Sequence, residues 1–465
     1  MTWVEALLIF LAVIGVYALI VLILHKKGIL EKYNISFYGP ALMWRTKRGR
    51  TFLKRIASKD RFWHAYGNAG VVLCFIFMIG MVALLAWQTW SLLDFTPEQI
   101  ENLPGLEVAL VIPGINPILP LEYIGFVILA LVVAMIVHEF SHGILTYASK
   151  LKVKSLGILY AIVPLGAFCE PDEEELKETD AGKRMRIYAA GPTSNFIVVA
   201  ITLVLFSFVF MSAVAPVSDG VIVFSVSEDS PAADAGLHQG VIITEVNQSQ
   251  INNVSTLLQS FSMLNPNQTV SLSYLENKQE IVTEITVGDL YYESIKRGLT
   301  VNSSVKGDIY IGAAFLNDEV YRKYLTSLQN PFEEFPLGFG LLYILPIYGY
   351  LEGFNPIAGP FTSTYIITGP LAALPTEVFW TIVNALYWIF WLNFAVAIFN
   401  VLPMIPLDGG FLFKDALDQF AKKIISDDSK EKRERVVKQI TAAISLVILF
   451  IILFPFILKY VIALF

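Results

Sequence analysis

Val133-Ala-Met-Ile-Val-His-Glu-Phe-Ser-His-Gly143 sets three ionisable side chains, His138, Glu139 and His142, inside an apolar run. A charged side chain at the centre of a membrane helix costs about 3 kcal/mol even on the mildest scale, so such residues carry a function by default. Histidines four apart lie on one face of a helix, close enough to share one metal ion. The Glu next to the first His is placed to act as a base on metal-bound water. The stretch therefore implies two things together: a helix at membrane depth, and most of a hydrolytic zinc site within it.

The surrounding chain agrees with membrane depth. It is 55% hydrophobic and only 16% charged, and several apolar runs have the roughly 20 residues that an α-helix needs to cross a bilayer core. Six spans are expected: Val4 to Leu24, Val71 to Leu92, Leu119 to Tyr147, Thr193 to Ala213, Val378 to Leu402 and Ile440 to Phe465. The first lacks a small-residue cleavage signal and reads as a retained helix.

Basic residues set the orientation, because cytosolic loops carry most of the Lys and Arg beside membrane helices. Segment 25–68 has eleven basic against two acidic residues, 149–190 has seven basic and 414–438 has eight, together 26 of the 33 Lys and Arg. All three are expected in the cytosol. Segment 93–118 has no Lys or Arg, and 216–335 has six basic against fifteen acidic residues, so these are expected outside, with both termini. The overall acidity averages two opposite surfaces and gives no reason to expect a nucleic-acid partner. Segment 336–376, apolar but broken by six prolines, is expected to form short or re-entrant pieces with no crossing. Cys74 and Cys169 imply no disulfide framework, and Cys169 reads as a buried core residue rather than a thiolate ligand.

Between the fourth and fifth spans the pattern changes to alternating strands, such as Val221 to Val226 and Thr269 to Tyr274. Ser230-Pro-Ala-Ala-Asp-Ala-Gly-Leu-His-Gln-Gly240, followed by Ile242-Ile-Thr-Glu-Val-Asn, resembles the PDZ pattern. PDZ folds add an extended peptide to a sheet edge and hold its terminal carboxylate in a glycine loop. No such loop precedes Val221. Tyr310-Ile311-Gly312 is the candidate, as in circularly permuted PDZ domains, and a C-terminal peptide would be the ligand. Four Asn-x-Ser/Thr triplets, at Asn247, Asn253, Asn267 and Asn302, lie in this insert and agree weakly with an outward location.

A catalytic zinc takes three protein ligands and keeps one position open. His25 and His64 lie in basic loops, and His238 in the insert. The remaining carboxylate of interest is Asp408 in Asn400-Val-Leu-Pro-Met-Ile-Pro-Leu-Asp-Gly-Gly410, where two prolines and two glycines break a helix and free polar backbone groups. A rise of 1.5 Å per residue puts His138 roughly 27 Å into a bilayer core of about 30 Å. The fifth span brings Asp408 to the same side. An ordinary Pro-Gly turn with a solvated Asp is the competing reading.

The His-Glu-Phe-Ser-His helix, Gly191-Pro-Thr-Ser-Asn195, the β-rich insert and the Asn400 to Gly410 segment follow one another as in the site-2 proteases, and the chain resembles that family over about 120 to 420. The resemblance implies an intramembrane zinc metalloprotease that cuts a single-span substrate, often after a first cut outside. It implies His138, His142 and Asp408 as ligands of Zn2+ and Glu139 as the catalytic carboxylate. It also implies Asn195 and Asn400 as residues that help hold substrate.

The expected fold is thus a polytopic α-helical membrane protein of about six transmembrane helices with one inserted extracytoplasmic β-rich, PDZ-like domain. Its parts are 1–118 (two helices and a basic loop), 119–215 (protease core), 216–318 (insert), 319–376 (Pro/Gly-rich linker), 377–413 (core helix and Leu-Asp-Gly segment) and 414–465 (basic loop and last helix). Within the core, 151–169 reads as a hairpin or strand beside the zinc helix, with a packed loop as the alternative. Its edge at Ile158, Tyr160 and Ile162 is expected to pair with an unwound substrate. The rival function is a transporter or channel that uses the intramembrane ionisable residues; it accounts for Glu139 but not for the paired histidines.

Overall fold

The structure, a computed structural model, describes residues 3–38, 41–109, 116, 118–119, 121–160, 164–352, 355–424 and 430–462. The chain forms two compact units, one of 1–109, 127–200 and 389–465, the other of 110–126 and 201–388. In chain order the main elements begin with helix α1 (Trp3–Lys26), strands β1 (Ile35–Tyr38) and β2 (Ala41–Thr46), and helices α2 (Asp60–Ser91) and α3 (Ile124–Ala148). Strands β3 (Val153–Tyr160) and β4 (Pro164–Pro171) and helix α4 (Ala181–Leu203) follow. The insert contributes β5 (Val221–Val226), β6 (Ile242–Val246), α5 (Val254–Ser262), β7 (Thr269–Glu276), β8 (Gln279–Thr286) and β9 (Ala313–Phe315). Four helices complete the chain: α6 (Leu337–Glu352), α7 (Thr376–Asn400), α8 (Asp408–Ala421) and α9 (Lys430–Ile462).

Among the described residues, five helical stretches are long and apolar enough to cross a membrane: Asp60–Asp94, Leu121–Ala148, Ala181–Ala213, Thr376–Asn400 and Lys430–Ile462. They coincide with five of the six expected spans. Helix α1, of 24 residues, covers the place of the remaining one. Segment 336–376 holds α6, of 16 residues with Pro346 inside it, then short 3-10 turns. No helix of spanning length is described there.

Segment 25–68 differs from a simple basic loop, since it contains β1 and β2. These join β3 and β4 in one antiparallel sheet, in the order β1-β2-β3-β4. Ile158 pairs with Trp44 on one side and Ala167 on the other; Tyr160 pairs with Leu42 and Pro164. Both flanks of β3 are therefore filled, and the free edge expected at Ile158 and Tyr160 is not there. Ile162 lies outside the described residues. The strands come so close that a Cβ on Gly157 would sit 2.2 Å from the Trp44 carbonyl oxygen, so only glycine fits.

A buried cluster of Leu53, Ile144, Leu145, Ala148, Val153, Leu156, Cys169, Ile187 and Ala190 fastens this sheet to α3 and α4. Each large side chain there stabilises the packing by about 1.5–3 kcal/mol. Helix α3 stops because Lys150 takes a left-handed conformation (φ 67°). The Leu151 N–H then donates to the Thr146 carbonyl and the Lys150 N–H to Tyr147, at 3.0 and 2.9 Å. That sharp stop turns the chain directly into β3.

In the second unit, the insert's strands run in the order β8-β7-β6-β5-β9. Val221, Val223, Ile243, Leu257, Leu272 and Ile285 form its core. Helix α5 starts at a capping box in which Asn253 and Thr256 bond reciprocally, which occupies one of the four triplet asparagines. The root of the insert is closed by strand Val214–Pro216 pairing with Tyr365–Ile367.

Candidate metal centre

Helix α3 presents His138 and His142 one turn apart, with ring centroids separated by 4.8 Å. Asp408, the first residue of α8, reaches them from a distant part of the chain. Its Oδ2 lies 3.0 Å from His138 Nε2 and 3.3 Å from His142 Nε2. Oδ2 nevertheless makes no hydrogen bond. The solvated-turn reading of Asp408 is therefore excluded.

The backbone explains how the carboxylate arrives there. A Cβ on Gly409 would fall 2.2 Å from the Val401 carbonyl oxygen, and one on Gly410 would fall 2.5 Å from the Met404 carbonyl carbon. Only two glycines let α8 start flush against the turn that ends α7. Two turns farther along, Asp415 accepts a two-point bond from Arg184 of α4, both contacts at 2.8 Å. This fork holds α8 in place with good geometry.

The donors fit zinc. His142 Nδ1–H donates to the Ile187 carbonyl at 2.7 Å, which leaves the Nε2 lone pair facing Asp408. Zn–N and Zn–O bonds of about 2.0–2.2 Å in a tetrahedron put neighbouring ligand atoms roughly 3.3 Å apart, close to the spacings seen. The three ligand atoms lie within 4.8 Å of one another. Lone pairs converging in a buried place repel unless a cation sits among them.

Gly191 completes the enclosure. A Cβ at this position would lie 2.5 Å from His138 Nε2 and 2.5 Å from His142 Nε2. Even a methyl group would intrude on the space between the ligands. Sequence reasoning missed this role, because a glycine within a helix carries no chemical signal of its own; only its place in Gly191-Pro-Thr-Ser-Asn195 drew attention.

Glu139, between the two histidines in sequence, has one carboxylate oxygen tied to the sheet. Its Oε2 accepts the Cys169 backbone N–H at 2.7 Å. Cys169 is 9% exposed and belongs to the core cluster, and it is not among the metal-ligand group. The Cys169 N–H points outward from β4. Strand periodicity gives the backbone of Ala167 the same direction, so β4 is the edge that borders the site.

The remaining site residues are more dispersed. Asn195 is completely buried, four residues beyond Gly191 on the same face of α4, and its Nδ2 has no partner among the described residues. Asn400 donates to the Val396 carbonyl at 3.0 Å, a bond within its own helix. The side chains of Ile158 and Tyr160 are about 40% exposed, although their backbone is paired. Tyr310, Ile311 and Gly312 immediately precede edge strand β9, with Gly312 at φ 76°. Together with Leu258, Phe261 and Phe315 they line a groove of about 340 Å³.

Comparisons with known proteins point the same way. The model of peptidase family M50 matches residues 126–448. An uncharacterized protein of Methanocaldococcus jannaschii is 25% identical over 85% of both chains. A protein of Clostridium acetobutylicum, provisionally named a zinc metalloprotease, is 26% identical over 65% of this chain and 88% of its own. Among solved structures, the PDZ domain of an SdrC-like protein from Listeria monocytogenes aligns with 22% of this chain and 93% of its own, at 24% identity. Its TM-score of 0.17 is too low to carry the fold.

Proposed function

The chain belongs to peptidase family M50, the site-2 proteases, and from that premise we propose that it hydrolyses a peptide bond in a single-span membrane substrate. The observation that carries the proposal is the convergence of Asp408 Oδ2 on two Nε2 atoms from a helix long and apolar enough to span a bilayer. An ion pathway accounts for an intramembrane Glu, but not for this triad.

Zinc held by His138, His142 and Asp408 would acidify water and polarise a carbonyl. The protein supplies the rest. Glu139, fixed through Oε2 by the Cys169 N–H, takes a proton at its carboxylate and returns it to the leaving amine. Gly191 keeps the space between the imidazoles open. A substrate helix must unwind to expose a carbonyl, and the lost hydrogen bonds are replaced by pairing along the outer edge of β4. In this reading the substrate-pairing edge moves from Ile158, Tyr160 and Ile162 to the residues about Ala167. Asn195 is the better placed of the two asparagines to bond the substrate.

Distribution of basic residues supports a site near the cytosolic face, with the termini and insert outside. The insert then selects substrates through its edge strand β9, with Tyr310, Ile311 and Gly312 receiving a carboxyl terminus made by a first cut. Such an order of cuts suits the regulated release of an anchored factor. The deciding experiment is cleavage of a tethered single-span substrate in liposomes by wild type and by Glu139→Gln. Loss of a general base predicts a drop of about 10²–10⁴-fold; equal rates would reject the assignment.

A further inference from the structure

One cavity lies on the sheet and has none of the metal ligands in its lining. It measures about 1300 Å³ and is lined by Lys32, Arg45, Lys47, Arg48 and Lys154, with Glu170 as its single carboxylate. Among the described residues, Lys32, Lys47 and Arg48 have no carboxylate within ion-pair distance. Lys154 reaches Asp172 only at 3.7 Å. Arg45 lies 3.4 Å from Glu170 and also bonds the Ser36 hydroxyl. Five cations thus border one cavity; Glu170 contacts Arg45 and Asp172 lies near Lys154, while no ion pair is described for Lys32, Lys47 or Arg48. Like charge gathered along one cleft raises the local concentration of anions there.

We propose that this cavity binds the phosphate of an anionic phospholipid headgroup. Three observations favour a lipid over a free anion. First, Lys32 follows six residues after the end of α1, whose Val16, Leu19, Ile20, Leu22 and Ile23 are all exposed apolar residues. Second, that distance is fixed, because Val21 of α1, Leu30 and Leu42 of the sheet form one buried cluster. The cations therefore sit just past the end of a helix with an exposed apolar face, where a lipid headgroup would lie were that face in a bilayer. Third, Tyr33 and Trp44 line the cavity and are more than half exposed, as amphipathic rings are at a membrane interface. Hydroxyls of Ser36 and Thr46 supply further donors to phosphate oxygens.

The test uses the full-length protein in a neutral detergent, titrated with tail-labelled phosphatidylglycerol and, separately, tail-labelled phosphatidylcholine. Saturable binding of phosphatidylglycerol at least tenfold tighter than phosphatidylcholine is expected. The double variant Lys47→Glu/Arg48→Glu, both exposed positions, should abolish that preference, while Lys47→Arg/Arg48→Lys should keep it with the same size-exclusion profile. Equal affinity for the two lipids, or an unchanged preference in the charge-reversed variant, overturns the proposal. So does full displacement of the lipid by millimolar inorganic phosphate, which marks a free-anion site, or by an acidic peptide, which marks a protein site.

Discussion

Each of the two units ends a sheet on an open strand, and the two edges are used differently. Strand β4 has spent one outward N–H on the Glu139 carboxylate, at 2.7 Å. Strand β9 lies beside a groove of about 340 Å³ with α5 opposite, and its neighbouring Gly312 is bent into a left-handed turn. Both offer the same backbone groups to a peptide. The difference is what stands next to them: the Glu139 carboxylate in one case, a groove lined by Leu258, Phe261 and Phe315 in the other. Under the proposed function, the β4 edge would place a bond for cutting and the β9 edge would select a chain end, according to one neighbouring element.

Ways to break this comparison begin with the largest effect. Gly191→Ala should cost the protein its zinc and reduce cleavage below detection, because the new methyl would lie 2.5 Å from both Nε2 atoms; metal analysis beside a cleavage assay checks it. Retained zinc with retained activity would contradict the geometry. A smaller loss is expected at the β4 edge. Ala167→Pro removes one outward donor and should slow turnover about fivefold, the worth of roughly one hydrogen bond, with zinc content unchanged.

At the other edge, Gly312→Ala forces a side chain into φ 76°, with its Cβ 2.3 Å from that of Ser230. Left-handed strain alone costs about 1–2 kcal/mol. Binding of a C-terminal peptide to the insert should weaken accordingly, while cleavage of a pre-trimmed substrate holds; loss of both together would deny the division of labour. The smallest effect is expected for Cys169→Ala. The variant keeps the backbone N–H that holds Glu139, so near-normal turnover is predicted, and inactivity with loss of zinc would instead make the thiol a ligand.

Polar residues stranded in apolar runs made the site legible in the sequence. His138, Glu139 and His142 stood out through cost, and Asp408 through the Pro and Gly that break its helix. Five of the six expected spans were legible because their apolar runs are long enough to cross a bilayer. Strands β1 and β2 were not, because eleven basic residues made 25–68 read as a loop. The signal was present: two short runs, Ile35 to Tyr38 and Ala41 to Thr46, flank the turn dipeptide Gly39-Pro40. Missing them made β3 look like an edge. Gly191 and the Arg184–Asp415 fork act only through tertiary approach, which no local pattern encodes.

The central claim is tested most directly by counting zinc in the purified full-length protein. Wild type and Glu139→Gln should each hold about one zinc per chain, since Glu139 is not a ligand, whereas Asp408→Ala should hold almost none. Full zinc occupancy in Asp408→Ala, or none in the wild type, would contradict the account.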